Sequence, residues 1–478
     1  MRRMLLVMAC WTALAGTGWT QDALLAASWS ESSEASQAAP SLTERIESLE
    51  QTLSEREERE IDLKKAAASK PSQRWTARIH TDYLAFPGND AGTNFFETGD
   101  PDDVTEDRIL MRRLRFGVGG SILETMNYRI EMEWANPNNP TVKDAFLGWT
   151  ELPCLETLLL GNQKRPYGLD YLNSSRVNVF MERPFVVEAF NAAVRRFGLC
   201  SYGLSEDQRF NWRYGAFLPR DIQGSGQYLT ADEHDYQTEL AGRLASTIWY
   251  DETSDGRGYA HLAISGAVVF PDGDAGPANV ARFRTRPELF TSNTWLDTGQ
   301  IVGADAYELL GVEAVLNLGA VQWVTEYQHV TLQRDVGSRD LQFGGVYTYL
   351  SWFVTGEHAP WDRATGTLER TTPFEPFFLV RTCDGSCRGG WGAWQVACRY
   401  SLGDFTDQEF RGGIGSSISF AVHWWWTAYP RMQFNYLCGE IHDRYDQDIS
   451  PSTGLPAGPV GPTAGSYQIL GTRFMIDF

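Results

Sequence analysis

Beyond its first fifteen residues, the sequence has no apolar run long enough to cross a bilayer as a helix, which requires about 20 apolar residues. Charged residues interrupt the shorter apolar runs, so any membrane-spanning part has to be a β-barrel. Positive charge is also scarce, with 41 Lys and Arg against 61 Asp and Glu and a net charge of -20. That balance argues against nucleic-acid binding, because phosphates require basic partners.

Histidine and cysteine are few. The seven His show no metal-ligand spacing, and we expect neither metal nor cofactor. Of the seven Cys, Cys383 and Cys387 form the one close pair; a small loop disulfide is favoured there over free thiols or a metal site. The sequence leaves open the pairing of four others: Cys154, Cys200, Cys398 and Cys438.

Aromatic residues and glycine, in contrast, are abundant. The chain contains 17 Trp, 19 Tyr and 25 Phe, together 13% of all residues, and 45 Gly. This composition suits many strands and turns with belts of aromatic side chains.

The N-terminus has the pattern of a secretory signal. Arg2 and Arg3 precede an apolar run that ends at Ala15, and small residues allow cleavage after Ala15 or as late as Ala27. The flanks of the arginine pair favour the general secretory route over twin-arginine export. We therefore predict a signal peptide over residues 1–15.

A linker and a helix are expected next. Residues 16–40 are rich in Ser, Ala and Glu, which predicts a flexible linker, and residues 41–70 predict a periplasmic helix. Because Arg56 and Glu60 take core positions, a trimeric coiled coil and a solvated spacer helix remain equal alternatives. Its apolar residues recur at spacings of three and four: Leu42, Ile46, Leu49, Leu53 and, in phase, Leu63.

From residue 74 to residue 478, polarity alternates with a period of two. Between Met126 and Trp134 every second residue is apolar and the intervening ones are polar, including Arg129, Glu131 and Glu133. A one-residue slip would move these charges into lipid at roughly 2–4 kcal/mol for a midplane Arg and somewhat less for each Glu, so the register is well specified.

The segments and gaps predict an all-β fold, a transmembrane antiparallel barrel of about 16 strands over residues 74–478, preceded by the short helical segment. Short turns alternate with long loops, as in bacterial outer-membrane barrels, and residues 357–390 form a long segment on the short-turn side. A soluble sandwich has the same period, but the aromatic outer face, the charged opposite face and the terminal Phe478 favour a barrel. The short turns are near residues 121–125, 152–155, 204–208 and 427–430, and the long loops near residues 87–107, 164–194, 219–236, 271–307 and 442–466.

Several motifs in order resemble the phosphate-selective porin O and P family, over nearly all of the chain after residue 74. Each combines strand residues with charged or glycine positions typical of that family. They are residues 110–120 (LMRRLRFGVGG), 128–131 (YRIE), 144–146 (DAF), 161–169 (GNQKRPYGL), 173–176 (NSSR), 181–183 (MER), 355–357 (TGE) and 392–400 (GAWQVACRY).

The resemblance implies a homotrimer of sixteen-stranded barrels, each narrowed by an infolded third loop, here Lys164 to about Val194. Arg112 and Arg113 match a constriction pair, and Asp144 and Ser174 match an anion-site acid and serine. Strand parity directs Arg113 and Arg115 into the lumen, whereas Arg112 requires a bend. The predicted pore constriction or anion-binding set is Arg112, Arg113, Arg115, Asp144, Lys164, Arg165, Ser174 and Arg176.

Other interpretations remain. The arginines, if paired with Glu131 and Glu133, would serve wall structure alone. Asn127 and Tyr171 replace lysines of the family, which favours a weakly selective pore over a phosphate-selective channel. The chain is thus expected to be an outer-membrane porin, not an enzyme, that passes small ions and polar solutes. A secreted β-rich carbohydrate-active protein is the alternative outside this class. In such a protein, Glu131 with Glu133 could act as a glycosidase pair, and residues 424–426 (WWW) could form a platform for a sugar ring. For the tryptophans, an aromatic girdle at the membrane interface is favoured.

Overall fold

The computed structural model describes residues 49, 51–59, 71–191, 195–219, 238–271, 281–301, 303–334, 339–378, 380–381, 385–445 and 461–478. The chain divides into two units, residues 1–65 and residues 66–478. In the first unit, residues 51–59 are helical and exposed. The predicted signal peptide and linker lie outside the described residues.

The second unit contains a closed antiparallel barrel of sixteen strands. β1 pairs with β2 on one side and with the last strand, β22, on the other, which closes the barrel. The predicted strand number and fold class are therefore confirmed. The barrel strands are β1 (Arg74–Ala85), β2 (Arg108–Leu123), β3 (Met126–Glu133), β4 (Thr141–Leu152), β5 (Glu156–Lys164), β6 (Arg195–Leu204), β7 (Phe210–Phe217), β8 (Thr238–Tyr250), β9 (Gly258–Phe270), β12 (Ala304–Leu318), β13 (Val321–Arg334), β14 (Leu341–Phe353), β19 (Ala393–Asp407), β20 (Phe410–Trp425), β21 (Arg431–Arg444) and β22 (Gly465–Asp477).

Shorter elements occupy the connections. Among the described residues, three α-helices lie between barrel strands, α1 (Ala91–Thr98), α2 (Leu169–Leu172) and α3 (Phe185–Phe190), together with a 3-10 helix (Glu252–Ser254). No described helix has the length and apolar character needed to cross a membrane. The described connections also contain three two-stranded ribbons: β10 (Arg284–Thr285) with β11 (Leu296–Asp297), β15 (Trp361–Asp362) with β16 (Thr367–Leu368), and β17 (Val380–Arg381) with β18 (Cys387–Arg388).

The period-two pattern sorts side chains between the two faces of the barrel. On β9, Leu262 and Ile264 are 49% and 52% exposed on the outer face. His261 and Ser265, on the opposite face, are buried inside the barrel. Because successive residues of a strand point to opposite faces, the outer wall is apolar and the interior is polar.

The strand order places the connections on two rims. The turns after β2, β4, β6, β8, β12 and β20 lie on the rim where the barrel begins and ends, and the long loops lie on the other rim. The predicted alternation of short turns and long loops is confirmed, except that β19 and β20 are joined by only two residues on the long-loop rim. The long exception, residues 354–392 between β14 and β19, lies on the short-turn rim, as expected from strand counting.

Two β-bulges direct extra charged residues into the lumen. On β2, His80 pairs with Arg113 and Thr81 pairs with Met111, so Arg112 is the additional residue. On β4, the pairing passes from Ala145 to Val142 opposite a single intervening residue of β3. A bulge opposes two residues to one and re-aims side chains, and both Arg112 and Lys143 line the interior cavity described below.

Cysteines are unpaired where the structure describes them. Cys154, Cys200, Cys398 and Cys438 carry free thiols, and Cys387 pairs with none of the other described cysteines. The predicted partner of Cys387 lies outside the described residues, so the loop disulfide stays a prediction.

A charge on the outer wall should destabilise the barrel according to its depth. We predict that Ile264→Arg, at the middle of β9, lowers the free energy of unfolding by about 2–4 kcal/mol. Gln342→Arg, at the loop-side end of β14, should cost about 0–1 kcal/mol. Urea titration of vesicle-folded protein, followed by heat-modifiable gel mobility, measures both; equal costs would contradict the lipid-facing assignment of Ile264.

Candidate functional site

Residues 165–191, referred to here as loop 3, fold into the barrel interior. Apolar side chains of this loop, including Tyr167, Leu169, Phe185 and Val186, are at most 1% exposed. Phe180 packs edge to face against Tyr349 of β14, with ring centroids 5.7 Å apart. Loop 3 therefore forms much of the hydrophobic core.

Charged wall residues satisfy the backbone of the first half of loop 3. Lys164 Nζ donates to the carbonyl oxygens of Tyr171, Leu172 and Asn173 at 2.9, 2.8 and 2.9 Å. A cation beside these carbonyls complements the C-terminal end of α2. The carboxylate of Glu326 accepts hydrogen bonds from the amides of Leu169 and Asp170, both at 3.2 Å, at the other end of α2.

The second half of loop 3 is held by the strands that close the barrel. Arg473 forms a two-pronged ion pair with Asp82, with both N–O distances 2.6 Å, and also donates to the Met181 carbonyl and the Glu182 carboxylate. Arg399 donates to the Glu182 carbonyl at 3.1 Å. Two loop residues thus receive three guanidinium contacts from the wall.

The connection between β9 and β12, described over residues 281–301, also enters the interior. Its Glu288 accepts from Arg399 at 2.9 Å and from Ser417 at 2.7 Å. Glu97 of α1 accepts from the amide of Ser292 at 2.8 Å and from Trp295 Nε1 at 2.9 Å. These carboxylates fix the segment against the wall and beside loop 3.

A third segment enters from the opposite rim. In the β15–β16 hairpin, Trp361 stacks on Tyr259 of β9 with ring centroids 5.3 Å apart. Arg243 of β8 donates to the Gly366 carbonyl at 2.8 Å. The amide of Leu368 donates to Asn173 Oδ1 at 3.0 Å, which joins the hairpin to loop 3. The interior is therefore narrowed from both rims.

A cavity of about 1020 Å³ remains on the β1–β4 side of the interior. Residues of these strands, loop 3, the 281–301 segment and the end of the β15–β16 hairpin line it. Among the described lining residues, eleven arginines and two lysines stand against six carboxylates. These charged residues are Arg78, Arg112, Arg113, Arg115, Arg129, Arg176, Arg183, Arg195, Arg284, Arg286, Arg370, Lys143, Lys164, Glu131, Glu133, Asp144, Glu182, Glu188 and Glu369.

Most arginines near the middle of this cavity are paired with carboxylates. Arg115 contacts Glu133 at 2.7 Å and Glu131 at 3.2 Å. Asp144 lies between Arg195 at 2.6 Å and Arg129 at 3.1 Å. Paired charges of this kind avoid the cost of an uncompensated charge in a poorly solvated site.

Glu182 contacts both arginines of the predicted constriction pair. It receives two hydrogen bonds from Arg112, at 2.8 and 2.9 Å, and lies 3.7 Å from Arg113. Burial alone would raise the pKa of Glu182, but Arg112, Arg113 and Arg473 together hold this pKa well below its usual range. Glu182 therefore remains ionised through mildly acidic pH.

An aromatic ring separates two arginines in the cavity. The guanidinium of Arg112 lies 4.2 Å from the Phe290 ring centroid, and that of Arg286 lies 4.6 Å from it. Arg286 also contacts Glu188 at 3.3 Å. Residues of β2, loop 3 and the 281–301 segment thus meet at one point.

The structure brings seven of the eight predicted constriction residues to the cavity lining. They are Arg112, Arg113, Arg115, Asp144, Lys164, Ser174 and Arg176. Lys164 donates hydrogen bonds to carbonyls of loop 3, as described above, and Ser174 Oγ accepts from Arg78 Nη2 at 3.4 Å. Arg165 lies elsewhere: it is fully buried and donates to Glu239 and to Asn191.

The predicted site omitted several residues that line the cavity. Two of them could have been predicted from the sequence, because Arg129 lies on the polar face of the alternating strand β3 and Arg195 begins β6. Arg286 and Phe290 could not, because their segment has no periodic pattern. Lys143 depends on the β4 bulge, which the alternation does not reveal.

The three consecutive tryptophans divide between the two faces of the wall. Trp424 stacks on Trp394 at the outer face, with centroids 5.2 Å apart. Trp425 is 3% exposed inside the barrel, beneath the guanidinium of Arg431. Alternation along β20 accounts for this division.

Comparison of the sequence relates the chain to one known family. A family model, phosphate-selective porin O and P, matches residues 77–452. No curated protein sequence matches significantly.

Several solved structures of outer-membrane proteins match the chain at low identity. The trimer form of OmpT, an outer membrane protein of Vibrio cholerae, is 10% identical with a TM-score of 0.50, over 86% of this chain and all of that one. An anion-selective porin from Comamonas acidovorans is 13% identical with a TM-score of 0.49, over 85% and 100% of the two chains. The outer membrane channel DcaP of Acinetobacter baumannii is 10% identical with a TM-score of 0.47, over 86% and 98%.

The β15–β16 hairpin should restrict flow through the barrel. We predict that replacing residues 361–368 with a short Gly-Ser linker raises single-channel conductance, because the hairpin fills interior space beside β8 and β9 while the barrel strands stay unchanged. Arg363→Gln is the control: it removes rim contacts with the Glu252 carboxylate, the Asp207 and Gln208 carbonyls and the Tyr250 ring, but it keeps the hairpin in the chain and should conduct like the parent chain. Equal conductance of all three proteins in planar bilayers would show that the hairpin does not obstruct the passage.

Proposed function

Because the chain belongs to the phosphate-selective porin O and P family, it is an outer-membrane porin that passes ions and small hydrophilic solutes passively, and we propose that its pore prefers anions. The family match supplies the general activity. The preference is argued from the cavity beside loop 3, whose predicted constriction residues would set it.

One observation carries the proposal: the cavity lining is positive although the chain has a net charge of -20. The lining has an excess of seven positive charges. Two aspartates outside the lining contact its arginines: Asp170 contacts Arg183, and Asp477 contacts Arg176 and Arg370. Counting these two negative charges reduces the excess to five. A narrow region with fixed charge of one sign lowers the entry barrier for ions of the opposite sign.

Weak selectivity is favoured over a tight phosphate site. A phosphate would need arginine forks free to form paired hydrogen bonds, yet Arg112 and Arg115 already bind carboxylates. Tyr171, at a position where the family has a lysine, is buried and supplies no positive charge. This arrangement supports a general preference for anions, in which anions pass the cavity without being held at a binding site.

Assembly and orientation are parts of the same proposal. A homotrimer accords with the family, and the short-turn rim would face the periplasm, as in bacterial barrels. β1 begins at that rim, so the preceding unit, with its helical residues 51–59, would lie in the periplasm after removal of the predicted signal peptide. A passive channel requires no catalytic step, and an enzymatic role is not proposed.

Charge changes at Glu182 and its partner should shift ion preference in opposite directions. We predict that the purified protein in a potassium chloride gradient gives a zero-current potential of the sign for chloride preference. Arg112→Gln should move it toward potassium, and Glu182→Gln should move it further toward chloride. Arg339→Gln, on the loop-side rim and exposed, is the control and should leave it unchanged.

A potassium-selective wild type would contradict the proposed preference. If Arg112→Gln and Arg339→Gln moved the potential by the same amount, the bias would come from rim charge and not from the cavity.

Acidification should strengthen the anion preference through Glu188. Its position inside the barrel raises the pKa of Glu188, with Arg286 opposing this in part. Glu188 therefore loses its negative charge at a higher pH than an ordinary glutamate, while Glu182 keeps its charge, so the lining becomes more positive as pH falls. Zero-current potentials measured from pH 7 to pH 5 should drift toward chloride.

Glu188→Gln provides the matched variant for this pH effect. It should show the stronger preference already at pH 7 and a flatter dependence on pH, with the remaining dependence coming from the cavity-lining Glu369, whose pKa burial also raises. An equally steep dependence in Glu188→Gln would assign the effect to another group.

A further inference from the structure

The long connection between β14 and β19 divides into an inner and an outer part. The β15–β16 hairpin enters the lumen, whereas the described residues of 374–392, called here the outer arm, turn to the outer wall. Phe377 packs on Trp424 with ring centroids 4.5 Å apart and on Trp426 at 5.5 Å. Trp426 in turn lies 5.8 Å from the outward-facing Phe474.

Backbone contacts fix the outer arm in this position. The Phe377 amide donates to the Trp426 carbonyl at 2.7 Å, and Trp424 Nε1 donates to the Trp391 carbonyl at 2.9 Å. At the end of the arm, Gly392 has φ +68°, and a Cβ there would lie 2.2 Å from the Trp425 carbonyl oxygen. The arm is therefore seated against the short-turn end of the outer wall.

The outer arm presents large aromatic side chains that stay mostly exposed. Phe374 is 64% exposed, Phe378 66% and Trp391 77%. Phe378, beside Phe377, and Trp391, whose carbonyl accepts from Trp424 Nε1, continue the outward-facing aromatic surface of Trp394 and Trp424, whereas Phe374 lies beside Arg257. Aromatic side chains at this level of a barrel sit in the lipid interface.

Two arginines accompany these rings. Arg381 and Arg388 lie on the β17–β18 ribbon, each paired across it with an uncharged neighbour, and both are exposed. Neither forms an ion pair with another described residue. Arginine beside exposed aromatic rings suits an interface where rings enter the acyl region and guanidinium groups bind phosphate.

We infer that the outer arm is a lipid anchor that binds anionic phospholipid in the leaflet on the short-turn side of the membrane. Phe374, Phe378 and Trp391 enter the acyl boundary, and Arg381 with Arg388 contacts the headgroup phosphate. Continuity with the membrane face of the barrel selects lipid as the occupant over a second copy of the chain. The inference requires the outer-membrane location and is independent of the ion preference proposed above.

Whether Trp391 lies in lipid or in water tests the proposed insertion of the aromatic rings into the membrane. The full chain, labelled with 5-fluorotryptophan and placed in nanodiscs, gives a ¹⁹F resonance for Trp391 that Trp391→Phe identifies by its loss. We expect lipid carrying a doxyl group to broaden this resonance and a water-soluble gadolinium chelate to leave it sharp. Broadening by the chelate alone would place the arm in water, and protection from both reagents would mean that protein covers it; either result overturns the inference.

Titration with phosphatidylglycerol tests the charged part. Native mass spectrometry of the detergent-solubilised protein should show about fivefold weaker phosphatidylglycerol binding in Arg388→Gln. Arg209→Gln, an exposed change on the same rim outside the arm, is the matched control and should bind like wild type. Glu375→Gln removes an exposed acid of the arm and should bind at least as tightly as wild type.

Equal binding of phosphatidylglycerol and phosphatidylcholine by the wild type, or equal loss in Arg388→Gln and Arg209→Gln, would refute an anionic headgroup site. Both readouts are independent of channel selectivity, so a failure here is distinguishable from a failure of the proposed anion preference.

Discussion

Loop 3 passes through the interior of a barrel, and its backbone amides and carbonyls must find partners there. Charged side chains of the wall supply many of them. Lys164 donates to three consecutive carbonyls, and Glu326 accepts from two amides. Arg399 donates to the carbonyl of Glu182, and Arg473 donates to the carbonyl of Met181. The position of the loop, and so the shape of the remaining passage, depends on these contacts.

The same contacts set the electrostatics of the passage. Glu182 is held in the loop by Arg473 and also binds Arg112, which lines the cavity. Because charges in such a site are tolerated mainly as pairs, the lining is built from ion pairs with a surplus of arginine. We propose that a surplus distributed in this way biases ion entry toward anions without leaving a strong anion site.

Sequence periodicity was sufficient for the strands, their faces and most turns, because a buried or lipid-facing side recurs at every second residue. Periodicity also placed Arg113 and Arg115 inside. It could not place Arg112 or Lys143, whose direction depends on bulges, nor Arg286 and Phe290, whose segment folds only against loop 3. Arg165 follows Lys164 in the chain, but the turn after β5 directs it to Glu239 and away from the cavity.

The two parts of the β14–β19 connection show the same limit. Strand counting placed residues 357–390 on the correct rim. It did not reveal that one part stacks Trp361 on Tyr259 inside the barrel while the other packs Phe377 on Trp424 outside. Those choices are made by tertiary contacts between residues more than forty positions apart.

We propose that paired arginines bias the pore toward anions without binding them. Single-channel conductance of the wild-type protein, measured over a wide range of potassium chloride concentration with and without added phosphate, distinguishes bias from binding. If the arginines only bias ion entry, conductance rises without saturation, phosphate blocks little, and the pore prefers chloride throughout. Conductance that saturates at low salt and falls on addition of phosphate would instead show a true anion-binding site.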